Sequence, residues 1–107
     1  MTEAELQDAV ADLARWLGYR VAHFRPAMTR AGNWITPGKY DHVGFPDLVI
    51  VGRGGVIFAE LKSAKGRLSH EQREWLGALD ESGAHVEVWH PKHWTNGDIE
   101  QVLRRLA

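Results

Sequence analysis

The sequence predicts an α/β fold, a mixed central sheet flanked by helices, from three local patterns. Apolar residues recur at helical spacing near the start. Two short apolar runs face each other across a cluster of glycines in the middle. A second helical pattern and a further short strand pattern follow in alternation.

Each element has its own signal. In residues 3–17, Leu6, Val10, Leu13 and Leu17 are three or four positions apart, as one face of a helix requires. Thr2 with Glu5 three positions on forms a capping box, and Gly18 supplies the stop. Tyr19 to Phe24 alternates around Val21 and reads as a strand ended by Pro26. Residues 26–45 carry breaks at Pro26, Gly32 and Pro37-Gly38 with no clear period, so a long loop is expected. Asp47-Leu-Val-Ile-Val51, Gly52-Arg-Gly-Gly55 and Val56-Ile-Phe-Ala-Glu-Leu-Lys62 read as strand, turn and strand. Ser69 and Gln72 make a second capping box, opening a helix with Trp75, Leu76 and Leu79 on its apolar face and Gly83 at its end. His85 to Trp89 is a strand stopped by Pro91. Ile99, Val102, Leu103 and Leu106 mark a last helix. Trp16, Trp75 and Trp89 fall on core positions, whereas Trp34 in the long loop either stacks on an unpaired base or folds back as a lid.

At 107 residues the chain is expected to be one domain. Its composition, 44% hydrophobic and 25% charged, excludes disorder. No apolar run approaches the ~18 residues of a membrane span. The start, Met1-Thr2-Glu3-Ala4-Glu5, is acidic, unlike a secretory leader, so a cytoplasmic protein is expected. With no cysteine, disulfides, thiolate zinc sites and a cysteine nucleophile are excluded. Net charge is −1, but residues 15–67 hold nine Lys/Arg against three acids. That basic middle suits a phosphate-handling face, with Arg25, Arg30, Lys39, Lys65 and Arg67 as candidate nucleic-acid contacts. His90-Pro-Lys-His93 lacks a third metal ligand and reads as a surface turn, because Pro91 breaks a helix.

The chemistry gathers on the hairpin. If the turn is symmetric, Val51 faces Val56 and Asp47 lies opposite Glu60. Alternation then puts Asp47, Glu60 and Lys62 on one face. Opposed residues have Cβ atoms only ~4.5–5.5 Å apart, and two like charges at that separation need a proton or a cation between them. Mg²⁺ or Mn²⁺, held by hard oxygen ligands, resolves the conflict and suits phosphodiester hydrolysis. Lys62 can then orient the attacking water or stabilise charge developing on the phosphate.

The series Gly44-Phe-Pro-Asp47, Glu60-Leu-Lys62, Ser69-His-Glu-Gln72 and Gly83-Ala-His-Val-Glu-Val-Trp89 resembles the VRR-NUC family, virus-type replication-repair nucleases of the PD-(D/E)XK superfamily. The resemblance implies a restriction-endonuclease-like core and a single nuclease domain over residues 1–107. It also implies a metal-dependent endonuclease, often phage-encoded and homodimeric, that hydrolyses branched or structured DNA such as a Holliday junction or flap. In a phage-encoded protein the compartment would be the host cytoplasm. Carried over, Asp47, Glu60 and the backbone carbonyl of Leu61 bind the metal, and Lys62 is the catalytic lysine. Gln72 stands at the start of the helix beside the site, a role compatible with its capping box. Glu3 with Gln7 matches a first-helix acidic motif, which adds Glu3 as a catalytic and metal-binding residue. At ~100° per residue, Glu5 lies about 200° around the helix from Glu3. Both cannot face the site, and Glu3 is favoured. The rival readings are a non-cleaving DNA-binding module on the same fold and an RNA-directed hydrolase.

Overall fold

A computed structural model describes residues 1–24, 27–28, 30–32, 34–35 and 38–107. In chain order the elements are α1 (Glu3–Trp16), β1 (Arg20–His23), β2 (Ala27–Met28), β3 (Trp34–Ile35), β4 (Leu48–Gly52) and β5 (Gly55–Leu61). There follow α2 (His70–Glu81), β6 (His85–Trp89), α3 (Pro91–Thr95) and α4 (Asp98–Leu106). The sheet is mixed, in the order β1-β4-β5-β6. The first two pairings are antiparallel and β5 runs parallel to β6, with α2 as the crossover.

Both capping boxes form. Thr2 Oγ1 accepts from the Glu5 N–H at 3.1 Å and Glu5 Oε1 accepts from the Thr2 N–H at 2.9 Å. Ser69 Oγ accepts from the Gln72 N–H at 3.1 Å and Gln72 Oε1 from the Ser69 N–H at 2.8 Å. These bonds satisfy N–H groups that the first helical turn leaves without partners, and so fix where each helix starts.

The symmetric hairpin register holds. Val51 pairs with Val56, Ile50 with Ile57, Val49 with Phe58 and Leu48 with Ala59. Leu48, Ile50, Ile57, Ala59 and Leu61 form one face of the sheet. They pack with Leu6, Val10 and Ala14 of α1, Ile99 and Leu103 of α4, and Trp89. Gly52 and Gly54 are needed at the turn for space. A Cβ on Gly52 would lie 2.3 Å from the Tyr19 ring, and one on Gly54 would lie 2.7 Å from the Leu106 carbonyl oxygen. That close approach docks α4, and the Tyr19 hydroxyl donates to the Leu103 carbonyl at 2.7 Å.

Three expectations are corrected. Trp16 is 76% exposed, because the core stripe of α1 runs through Leu6, Val10 and Ala14 and leaves position 16 on the outer side. The 26–45 segment contains a small hairpin, Ala27 pairing with Ile35 and Met28 with Trp34. Strands of two residues are too short to show a period. β6 ends at Trp89 as expected, but Pro91 opens α3 and does not break a helix: at the first helical position its missing N–H has no helical acceptor to lose. Arg25 and the Trp34 side chain lie outside the described residues. Among the described residues no helix is long and apolar enough to cross a membrane.

Candidate active site

The opposite face of the hairpin carries the polar groups at one end. Extending the register one step past Leu48–Ala59 brings Asp47 opposite Glu60. Asp47 precedes β4, and its Oδ2 accepts from the Leu61 N–H at 2.9 Å, which ties the carboxylate across the strand pair. Glu60 is 1% exposed and is the only charged residue in the buried set among the described residues. A carboxylate in that position is unfavourable unless it is paired, protonated or bound to a cation.

Its two oxygens differ. Oε2 accepts from Gln72 Nε2 at 2.9 Å and lies 3.5 Å from Lys62 Nζ. Oε1 is buried with no hydrogen-bond partner among the described residues. The nearby Asp47 carboxylate offers acceptors only, so it cannot satisfy Oε1 unless the two share a proton or a cation sits between them. Burial first, and the charge of Asp47 second, push the Glu60 carboxyl up from its ordinary value of 4.5 to about 8, against the opposing pull of Lys62. A pair that raises the affinity of a carboxylate for H⁺ in this way also favours a divalent ion in the same place.

The neighbouring residues keep this geometry in place. Gly44 has φ +86°, a left-handed conformation that favours glycine, and a Cβ there would lie 2.5 Å from the Glu71 carbonyl carbon. The loop leading to Asp47 therefore packs directly against the first turn of α2. Phe45 is wedged among three other rings in edge-to-face contacts. The centroids lie 6.1 Å away for Phe58, 5.1 Å for Trp75 and 5.8 Å for Phe24. Trp75 Nε1 donates to the Asp41 carbonyl at 2.7 Å. Loop, hairpin and α2 thus share one aromatic cluster, with the buried Pro46 beside Asp47.

Asp47, Glu60, Lys62 and Gln72 are brought together. Glu3 is not: it is exposed on the first turn of α1, and among the described residues no three His, Asp or Glu side chains come together as a metal-holding group. Glu5 is engaged in the Thr2 capping box. Gln7, one turn on from Glu3, lies 3.4 Å from His23 Nδ1 through its Nε2, at the end of β1 that pairs with Leu48. Arg30, Lys39 and Lys65 are exposed and take no part in the carboxylate cluster.

Arg67 lines a cleft of ≈ 450 Å³ that opens beside Lys62. Arg73 and His90 also line it, and the sequence patterns single out neither as functional. One signal for Arg73 is its place directly after Gln72, in the first turn of α2. His90 is not part of a surface turn: its ring is half-buried and its Nε2 lies 3.3 Å from the Gly66 carbonyl oxygen.

The VRR-NUC domain family matches residues 38–92, a span that holds the loop before Asp47, the hairpin, α2 and β6. A solved structure of a VRR_NUC domain protein is similar over 84% of this chain and 78% of its own. The identity is 23% and the TM-score 0.53, a likeness of fold. Comparison with curated proteins gives no match.

Proposed function

The chain belongs to the VRR-NUC family, whose domain implies nuclease-type function with DNA as substrate, and from that premise we propose a Mg²⁺- or Mn²⁺-dependent endodeoxyribonuclease specific for branched or flapped DNA. The observation that carries the metal dependence is Glu60 Oε1, a buried carboxylate oxygen beside Asp47 with no partner among the described residues. The residues fit a hard cation: two carboxylates converge, and the backbone carbonyl of Leu61 offers a third oxygen. Glu3 is left out of this set.

When bound, the cation supplies Lewis acidity toward the phosphate and a water acidified enough to attack at neutral pH. Asp47 holds its position through the Leu61 N–H, and Glu60 is oriented by Gln72. Lys62 Nζ, 3.5 Å from Glu60 Oε2, offers a positive charge where negative charge builds on the phosphate oxygens. A homodimer would set two such sites about a two-fold axis, as cutting both strands of a junction requires. It would also widen the DNA footprint of so small a chain.

The test is cleavage of labelled linear, flap and four-way substrates, with Mg²⁺ and with chelator, alongside light scattering with and without DNA. Metal-dependent cutting of the branched substrates by a dimer is expected. Binding without cutting, or cutting that survives chelation, contradicts the proposal.

A further inference from the structure

The cleft beside Lys62 lies between the loop after β5, the first turn of α2 and the end of β6. None of the residues lining it is acidic. Lys62, Arg67 and Arg73 supply three cations, and Leu68 and Val88 add apolar wall. Elsewhere the exposed Arg104 is paired with Glu100 at 2.8 Å. Arg67 and Arg73 have no such partner among the described residues. Two guanidiniums that line one cleft, with no acidic partner among the described residues, favour an anion as ligand. The planar fork of arginine fits phosphate in particular. The His90–Gly66 contact ties the loop to the end of β6, so the cleft is formed before any ligand arrives.

Its size limits what enters. A volume of ≈ 450 Å³ falls in the range of pockets for single small ligands, ~300–1,000 Å³. Lys62 is shared between this cleft and the Asp47–Glu60 pair, so whatever lies in the cleft is a neighbour of the scissile group.

Building on the nuclease reading, we infer that this cleft is a nucleotide-binding subsite that takes one unpaired nucleotide next to the scissile phosphate, its own phosphate held by Arg67 and Arg73 and its sugar or base set against Leu68 and Val88. Selectivity for flaps and branches then follows at the site itself. A continuous duplex has no free nucleotide to place there unless it first unstacks and unpairs one, which is unfavourable.

The experiment is fluorescence anisotropy of wild type and the Arg67→Ala/Arg73→Ala double variant, in chelator so that nothing is cut. The probes are a labelled 5′ flap, a labelled single strand and a blunt duplex, each titrated over a salt series. Both arginines are exposed, so thermal melting should match wild type. The paired Arg104→Ala serves as the control. The double variant should lose about tenfold or more in flap and single-strand affinity. Its salt slope should fall by ~0.7, the value for one phosphate on a single strand. Blunt-duplex affinity should change less than twofold. Unchanged flap affinity, or an equal loss on blunt duplex, overturns the subsite. Because binding is read without cleavage, a protein that grips flaps through these arginines but never cuts leaves the subsite standing and sinks only the nuclease reading. Normal cutting with indifferent arginines does the reverse.

Discussion

Gln72 reaches Glu60 with one end of its side-chain amide and holds its own helix with the other. Nε2 donates to Glu60 Oε2 across 2.9 Å, while Oε1 accepts from the Ser69 N–H across 2.8 Å. The bond that starts α2 therefore also fixes the rotamer of the group that aims the buried carboxylate. Helix capping and site geometry are one interaction here.

Gln72→Ala should accordingly fail in two ways that can be measured apart. Losing its bond to the Ser69 N–H, its half of the capping box, should cost ~0.5–1.5 kcal/mol in a thermal melt. Losing the donor to Glu60 should lower metal affinity or activity ~10–100-fold, the usual effect of removing a group that orients a ligand. Gln72→Glu keeps the cap but sets a second carboxylate against Glu60. It should therefore stay folded and lose activity as well. Wild-type turnover in either variant would show that Glu60 needs no help from α2.

The metal-free protein should lose stability as pH rises. Glu60 titrates at about 8 when folded against an ordinary 4.5 when unfolded. Below ~4.5 both states hold the proton and the group has no net effect. Between ~4.5 and ~8 the unfolded chain has released a proton that the folded chain keeps, so stability falls with pH and levels off above ~8. Denaturant melts across pH 5–9 in chelator should show this decline, and Glu60→Gln should flatten it. An identical decline in Glu60→Gln would place its origin elsewhere.

Divalent cation should reverse the same penalty. A site loaded at 100 times its Kd stabilises the fold by ~2.7 kcal/mol. The melting temperature of wild type should rise with Mg²⁺ or Mn²⁺, more at pH 8 than at pH 6, where protons compete for Glu60. Asp47→Ala should show little rise. Equal rises in both proteins would mean that the ions bind at another place.

Much of this site is legible in the sequence because it depends on short-range rules. The Gly52–Gly55 turn fixes the register, the register alone carries Asp47 to Glu60, and alternation carries Lys62 to the same side. Ser69 and Gln72 announce their own cap, and the cap puts Gln72 where Glu60 can use it. What is not legible depends on contacts distant in sequence. His90 lines the cleft beside Lys62 because β6 returns parallel to β5, and Arg73 lines it from the first turn of α2. Trp16 fits a helical stripe when hydrophobicity alone is counted, yet the packing of α1 leaves it outside. Glu3 matches a motif, and no contact among the described residues draws it to the carboxylates.

The most direct measurement is single-turnover cleavage of a labelled flap by wild type, Asp47→Ala, Glu60→Gln and Lys62→Ala, each with Mg²⁺ and with chelator. Asp47→Ala also frees the Leu61 N–H, at ~1–3 kcal/mol, so folding of each variant is checked by melting and flap binding in the same samples. The expected result is cutting by wild type with Mg²⁺ only, and loss of cutting in all three variants while they remain folded and bind the flap. Full activity in any one folded variant, or undiminished cutting by wild type in chelator, would contradict a metal site built on Asp47 and Glu60 with Lys62 beside it.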